Sequence, residues 1–206
     1  MVELTHSEQT WLKKYYPELR YDSSNHKLFG KVSFSLRYED LPVIKESYNV
    51  EVDFSSMKDR SDFPCVYNTD HRIIDASKRK RKPLADFHID RDGKLCMIFP
   101  CKMPQFYTNG FNIQEFMTHL CNHLYWVSHY DLYDKEPWPG EKHGNEAIIE
   151  YVKDYRNINL IANDKKQLEF FRVLFNKKYG KGIALNKLKN RLLTDESLFK
   201  ELISWK

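Results

Sequence analysis

Phe87-His88-Ile89-Asp90-Arg91-Asp92-Gly93-Lys94-Leu95-Cys96-Met97-Ile98-Phe99-Pro100 is the stretch on which the reading of this chain turns. A polar Asp-Gly turn leads into an apolar run, and Cys96 stands where the one becomes the other. His88 precedes it by eight positions. A cysteine placed at such a boundary has two readings. It packs as a small hydrophobe, inert and buried, or it is presented as a nucleophile by the turn before it. Gly93 would let the chain turn tightly just before the cysteine.

Working outward, the period of the apolar residues changes along the chain. Thr5 and Glu8 have capping-box spacing ahead of a helical pattern, with Trp11, Leu12, Tyr15, Tyr16 and Leu19 on one side and Pro17 as its breaker. Alternation follows. Val32, Phe34, Leu36 and Tyr38 interleave with Lys31, Ser33, Ser35 and Arg37, and after a turn near Asp40 to Pro42, Tyr48, Val50, Val52 and Phe54 interleave with polar residues. These are two half-buried antiparallel strands. A third is expected at Pro64 to Tyr67, with Pro64 at a strand start or sheet edge. Residues 75–86 read as a loop. Asn112, with Glu115 three residues on, opens a long helix whose buried stripe is Phe116, Leu120, Leu124 and Val127. A structured loop at 133–144, a helix at 145–155, a helix at 164–178, a short segment at 183–192 and a last helix from Thr194 complete the order. Strands followed by helices imply an α+β fold, an antiparallel meander sheet with an N-terminal helix and C-terminal helices. The expected division is 1–156 for the main domain and 157–206 for a helical extension.

The 206 residues include 13 Tyr, 13 Phe and 4 Trp and are 41% hydrophobic, which excludes a disordered chain and is ample for a core. The formal charge of +4 is too small to imply nucleic acid by itself, but five basic residues run from Lys78 to Lys82, through Arg79, Lys80 and Arg81. That run reads as a solvated loop or as a grip for an acidic partner or phosphates. Four cysteines, at 65, 96, 101 and 121, form no C-x-x-C pair. No apolar leader opens the chain, and no run of about 18 apolar residues crosses a membrane. Reduced thiols and a cytoplasmic location are the expectation. Cys65 and Cys121 read as core. His119 and His123 are spaced to share a metal on one helix face, but no third ligand is placed, so no metal and no cofactor are expected.

The element order, with a cysteine in an extended segment after the meander, resembles the ubiquitin-conjugating enzymes. Gly93-Lys94-Leu95-Cys96 matches that family's step into its active-site cysteine. The preceding His-Pro-Asn tripeptide of the family is missing here, and His88 falls at the place of its asparagine. Ser61-Asp62-Phe63-Pro64 is similar to the family's Tyr-Pro step, and Trp138-Pro139-Gly140-Glu141-Lys142-His143-Gly144 resembles a signature of its bacterial relatives, which are encoded in antiviral and mobile-element operons. The resemblance covers roughly residues 5–155.

The resemblance implies a cysteine thioester at Cys96, formed with the C-terminus of a ubiquitin-like protein or of a nucleotidyltransferase and passed to an amine, with an activating enzyme as a further possible partner. It makes Glu141 and His143 candidates for taking the amine's proton; the alternative is that they and Trp138 pin the loop to the core. His88 is either a hydrogen-bond donor to the oxyanion of the transfer or a turn residue. Two rival functions remain: a catalytically inactive adaptor of the same fold, and a basic nucleic-acid-binding domain, the latter disfavoured by the low net charge.

Overall fold

The computed structural model describes residues 2–99, 102–140, 147, 150–151, 161–179 and 182–194. The chain divides into two compact units, Met1–Gly140 and Glu141–Lys206, where the sequence placed its boundary at 156/157.

The first unit is α+β. Helix α1 (His6–Tyr15) begins at the expected capping box: Thr5 accepts from the Glu8 backbone, and the Glu8 carboxylate accepts from the Thr5 backbone at 2.8 Å. The helix ends at Tyr15, two residues before Pro17, which has no N–H to continue it. Four strands follow as an antiparallel meander in the order β1 (Leu19–Asp22), β2 (Lys27–Leu36), β3 (Ile44–Asp53), β4 (Cys65–Asn68). The alternation read from the sequence sets which face is buried. Leu28, Val32, Tyr48, Val50, Val52 and Val66 point inward, while Lys27, Glu51, Cys65 and Tyr67 lie on the other face. The short strand β1 was not anticipated. It pairs with β2 from Leu19 opposite Gly30, where a Cβ on Gly30 would stand 2.2 Å from the Glu18 carbonyl oxygen; only glycine lets the two strands approach there.

The loop expected at 75–86 is a correction. Residues Arg72–Lys80 form helix α2, with Ile73, Ile74, Ala76 and Ser77 turned inward and the charges outward. It ends in a Schellman closure: Arg81, in the left-handed region at φ 54°, and Lys82 donate their backbone N–H groups to the carbonyls of Lys78 and Ser77. The buried Asn68 amide ties β4 to this helix, its oxygen accepting from the Ile73 backbone at 3.2 Å and its nitrogen donating to Asp70 at 2.6 Å.

After a 3₁₀ turn at Leu84–Phe87 and the short α3 (Met103–Phe106), helix α4 (Ile113–Tyr133) packs on the sheet. Asn112 caps it by accepting from Gln114 and Glu115. Phe116, Leu120, Leu124 and Val127 are buried as expected, and Ile113, Met117, Cys121 and Tyr125 join them, so α4 is the central rod of the core. At its far end Trp138 stacks parallel to Tyr125 and its carbonyl accepts from Trp126 Nε1 at 3.0 Å, so Trp138 does pin its loop. In the second unit, α5 (Lys165–Tyr179) and α6 (Leu185–Thr194) carry Leu168, Phe171, Phe175, Leu188 and Leu192 as buried positions. The expected helix at 145–155 is described only at Ala147, Glu150 and Tyr151, which are helical. Thr194, where a last helix was expected to begin, instead ends α6, and the residues after it lie outside the described ones.

Candidate functional site around Cys96

The stretch first quoted folds as a miniature hairpin that extends the sheet. Ile89 faces Leu95 in an antiparallel bridge, the Asp90 backbone donates to the Lys94 carbonyl at 2.9 Å, and the Cys96 backbone donates to the His88 carbonyl at 2.7 Å. The turn is held from inside by the Asp90 carboxylate, whose Oδ1 accepts from the backbones of Asp92 and Lys94, both at 2.9 Å. Gly93 turns the chain at φ 82°, where a side chain would be strained. The returning arm pairs on its other side with β4: Tyr67 faces Lys94, the Asn68 backbone donates to Gly93, and the Leu95 backbone donates to Val66 at 2.7 Å.

This pairing decides how Cys96 is presented. Successive residues of an extended arm point to opposite faces. Leu95 and Met97 are each 5% exposed, and Cys96 between them is exposed. It shares the outer face with Lys94, Cys65 and Tyr67. The inert-buried-thiol reading therefore fails for the residue as a whole. Enough protein still surrounds the sulfur that burial pushes the thiol above its ordinary value; the Asp90 carboxylate adds to the rise and the Lys94 ammonium opposes it.

His88 serves this site through its backbone. It closes the 3₁₀ turn in the left-handed region at φ 51°, its N–H and that of Ile89 bonding back to Ala85 and Leu84. Its ring is buried, edge-on to Trp126 with centroids 4.5 Å apart, and a Cβ on Gly140 would lie 2.9 Å from Nε2. The turn-residue reading has direct support in these contacts.

Glu141 and His143 lie outside the described residues, as does Cys101. The basic run is placed on α2 and its closure, against the acidic end of α4. Arg79 grips Asp131 through both carboxylate oxygens at 2.7 and 2.8 Å, Lys80 and Lys82 both reach Asp134, and Lys78 reaches Asp75. Arg81 is exposed. Much of the charge of the run is thus spent on the protein's own carboxylates.

Two residues of the site were missed in the sequence. Asp90 could have been found, since Asp-x-Asp-Gly is a turn in which the first side chain bonds the backbone two residues on. Cys65, expected in the core, is half-buried on the outer face instead, with Ser56 Oγ 3.8 Å from its sulfur and the Lys94 side chain close enough to interact with it. Cys121 is core, as expected, its sulfur 3.6 Å from the Tyr16 hydroxyl. His119 bonds the Tyr107 hydroxyl through Nδ1 at 3.0 Å, and no group of three or more metal-binding side chains occurs among the described residues. No helix among them is long and apolar enough to cross a membrane.

No family model, curated protein or solved structure matches this chain.

Proposed function

We propose that the protein is a ubiquitin-conjugating-like acyl carrier: Cys96 takes the C-terminal carboxyl of a partner protein as a thioester and yields it to an amine. The observation that carries this reading is the exposure of Cys96 between two buried neighbours, on an arm hydrogen-bonded on both edges. A thiol held this way is rigidly presented, and rigid presentation is what attack on a large acyl donor requires. A sulfur whose proton is held tightly is a sluggish spontaneous nucleophile toward small electrophiles, yet it still exchanges with a thioester brought against it. The meander, the helix ahead of it and the long helix after Cys96 agree with the fold that the resemblance implies. The bacterial antiviral setting and the nucleotidyltransferase partner rest on the resemblance alone.

The inactive adaptor of the same fold is the second reading. It is favoured by His88, whose ring packs on Trp126 within the protein. Incubation with a ubiquitin-like protein bearing a C-terminal mercaptoethanesulfonate thioester separates the two. The expected result is an adduct on Cys96, seen by intact mass and removed by dithiothreitol, that Cys96→Ala does not form. Adduct formation by Cys96→Ala at the wild-type rate overturns the carrier reading, and a wild-type protein that forms none favours the adaptor.

A further inference from the structure

We infer that Cys65 and Cys96 are a redox pair, closed by peroxide into a disulfide that masks Cys96. The inference comes from register and does not depend on the acyl-carrier reading. The bridge between Tyr67 and Lys94 and the bond from Leu95 to Val66 set an antiparallel register in which Cys65 comes opposite Cys96, one residue beyond the last bond. Directly opposed residues in such a pairing have Cα atoms about 4.5–5.5 Å apart. A disulfide spans about 4.4–6.8 Å, which leaves room for the strands to begin parting.

The faces agree as well as the register. Val66 and Leu95 are buried, so Cys65 and Cys96 both belong to the outer face. Lys94 agrees with this: it lies two residues before Cys96 on that face, paired with Tyr67, and it interacts electrostatically with both thiols. Both thiols are free and Cys96 is the exposed one, so it meets an oxidant first. Because its proton is held, the step with peroxide runs through a small thiolate fraction, is slow at neutral pH and quickens as pH rises.

The chemistry balances with hydrogen peroxide. At Cys96 a sulfur–oxygen bond forms, the oxygen–oxygen bond breaks, and one water leaves with the thiol proton. The Cys65 sulfur then attacks the Cys96 sulfur. The sulfur–sulfur bond forms, the sulfur–oxygen bond breaks, and a second water leaves with the Cys65 proton. Two thiols have lost two electrons to one peroxide, and Lys94 supplies a cation beside the attacking sulfur. A dithiol reductant reverses the step.

The test is peroxide treatment of full-length protein, alkylation of remaining thiols, trypsin digestion without reduction, and mass spectrometry. Cys96 and Cys101 fall in one tryptic peptide, residues 95–102, so the protein used is Cys101→Ser. The expected product joins residues 61–72 to residues 95–102, disappears with dithiothreitol, and is accompanied by loss of Cys96 alkylation. In the Cys65→Ser, Cys101→Ser protein no link forms and Cys96 advances to the sulfinic acid. Sulfinic acid at Cys96 while Cys65 of the Cys101→Ser protein still alkylates overturns the proposal; so does a protein in which both thiols survive peroxide unlinked. Neither readout involves a thioester, so failure here leaves the acyl-carrier test intact.

Discussion

At the scale of the residue, Cys96 is governed by two neighbours from its own hairpin. Asp90 holds the turn closed through its carboxylate, and the same negative charge helps keep the proton on the thiol, after burial, while Lys94 works against it. A raised thiol value means that the thiolate fraction at neutral pH is small and grows with pH into the alkaline range. Asp90→Asn keeps an oxygen for the two backbone N–H groups and removes the charge. It is expected to speed iodoacetamide alkylation of Cys96 at pH 7.5 and to move the alkylation profile to lower pH; Lys94→Gln is expected to move it to higher pH. Identical profiles for the two variants and the wild type would show that neither charge acts on the sulfur. His88 was legible as a residue that matters to the hairpin, but its two readings differ only in where the ring lies. No spacing along the chain gives that; Trp126 and Gly140, far off in sequence, enclose it.

At the scale of the element, α2 shows why the basic run reads as a loop and is a helix. Five consecutive cations leave no apolar period of their own, and like charges at helical spacing repel. The inward face is made earlier, by Ile73, Ile74, Ala76 and Ser77, and the cations are accommodated because Asp131 of α4 and Asp134, which caps its C-terminus, meet them. The helix closes at Arg81 in a left-handed conformation that costs a residue with a Cβ roughly 1 kcal/mol. Arg81→Gly is therefore expected to raise stability in urea by up to about 1 kcal/mol, with the gain reduced by the greater freedom of glycine in the unfolded chain. A destabilised Arg81→Gly protein would mean that the arginine side chain contributes more than its backbone costs.

At the scale of the whole molecule, the first unit is clasped at its N-terminus by one ion pair. Arg60, from the loop between β3 and β4, donates to both oxygens of Glu8, each at 2.8 Å, and also to the carbonyls of Glu3 and Phe111. Burial works to raise the Glu8 value, but the bonds from Arg60 and Thr5 outweigh it, and the carboxyl is held below the usual glutamate range. A depressed carboxylate contributes stability that is present above its unfolded value and is lost as pH falls through its folded one. With Arg60 37% exposed the pair is partly screened, so Glu8→Gln is expected to cost about 1 kcal/mol at pH 7. The difference from the wild type should narrow as denaturation is measured below about pH 4.5, the ordinary value of a free glutamate. A difference that stays constant from pH 7 to pH 3 would show that the charge is not what matters.

The sequence by itself determined the α+β order, the faces of β2 and β3, the capping boundaries of α1 and α4, and the glycine turn that leads to Cys96. All of these follow from period and local hydrogen bonding, which act over a few residues. The tertiary structure decided the rest: the helix under the basic run, strand β1, the outward-facing Cys65, and the burial of the His88 ring. Each depends on a partner distant in the chain, as Arg79 depends on Asp131 and the His88 ring on Trp126, and a pattern read along the chain carries no information about a partner that only folding brings near.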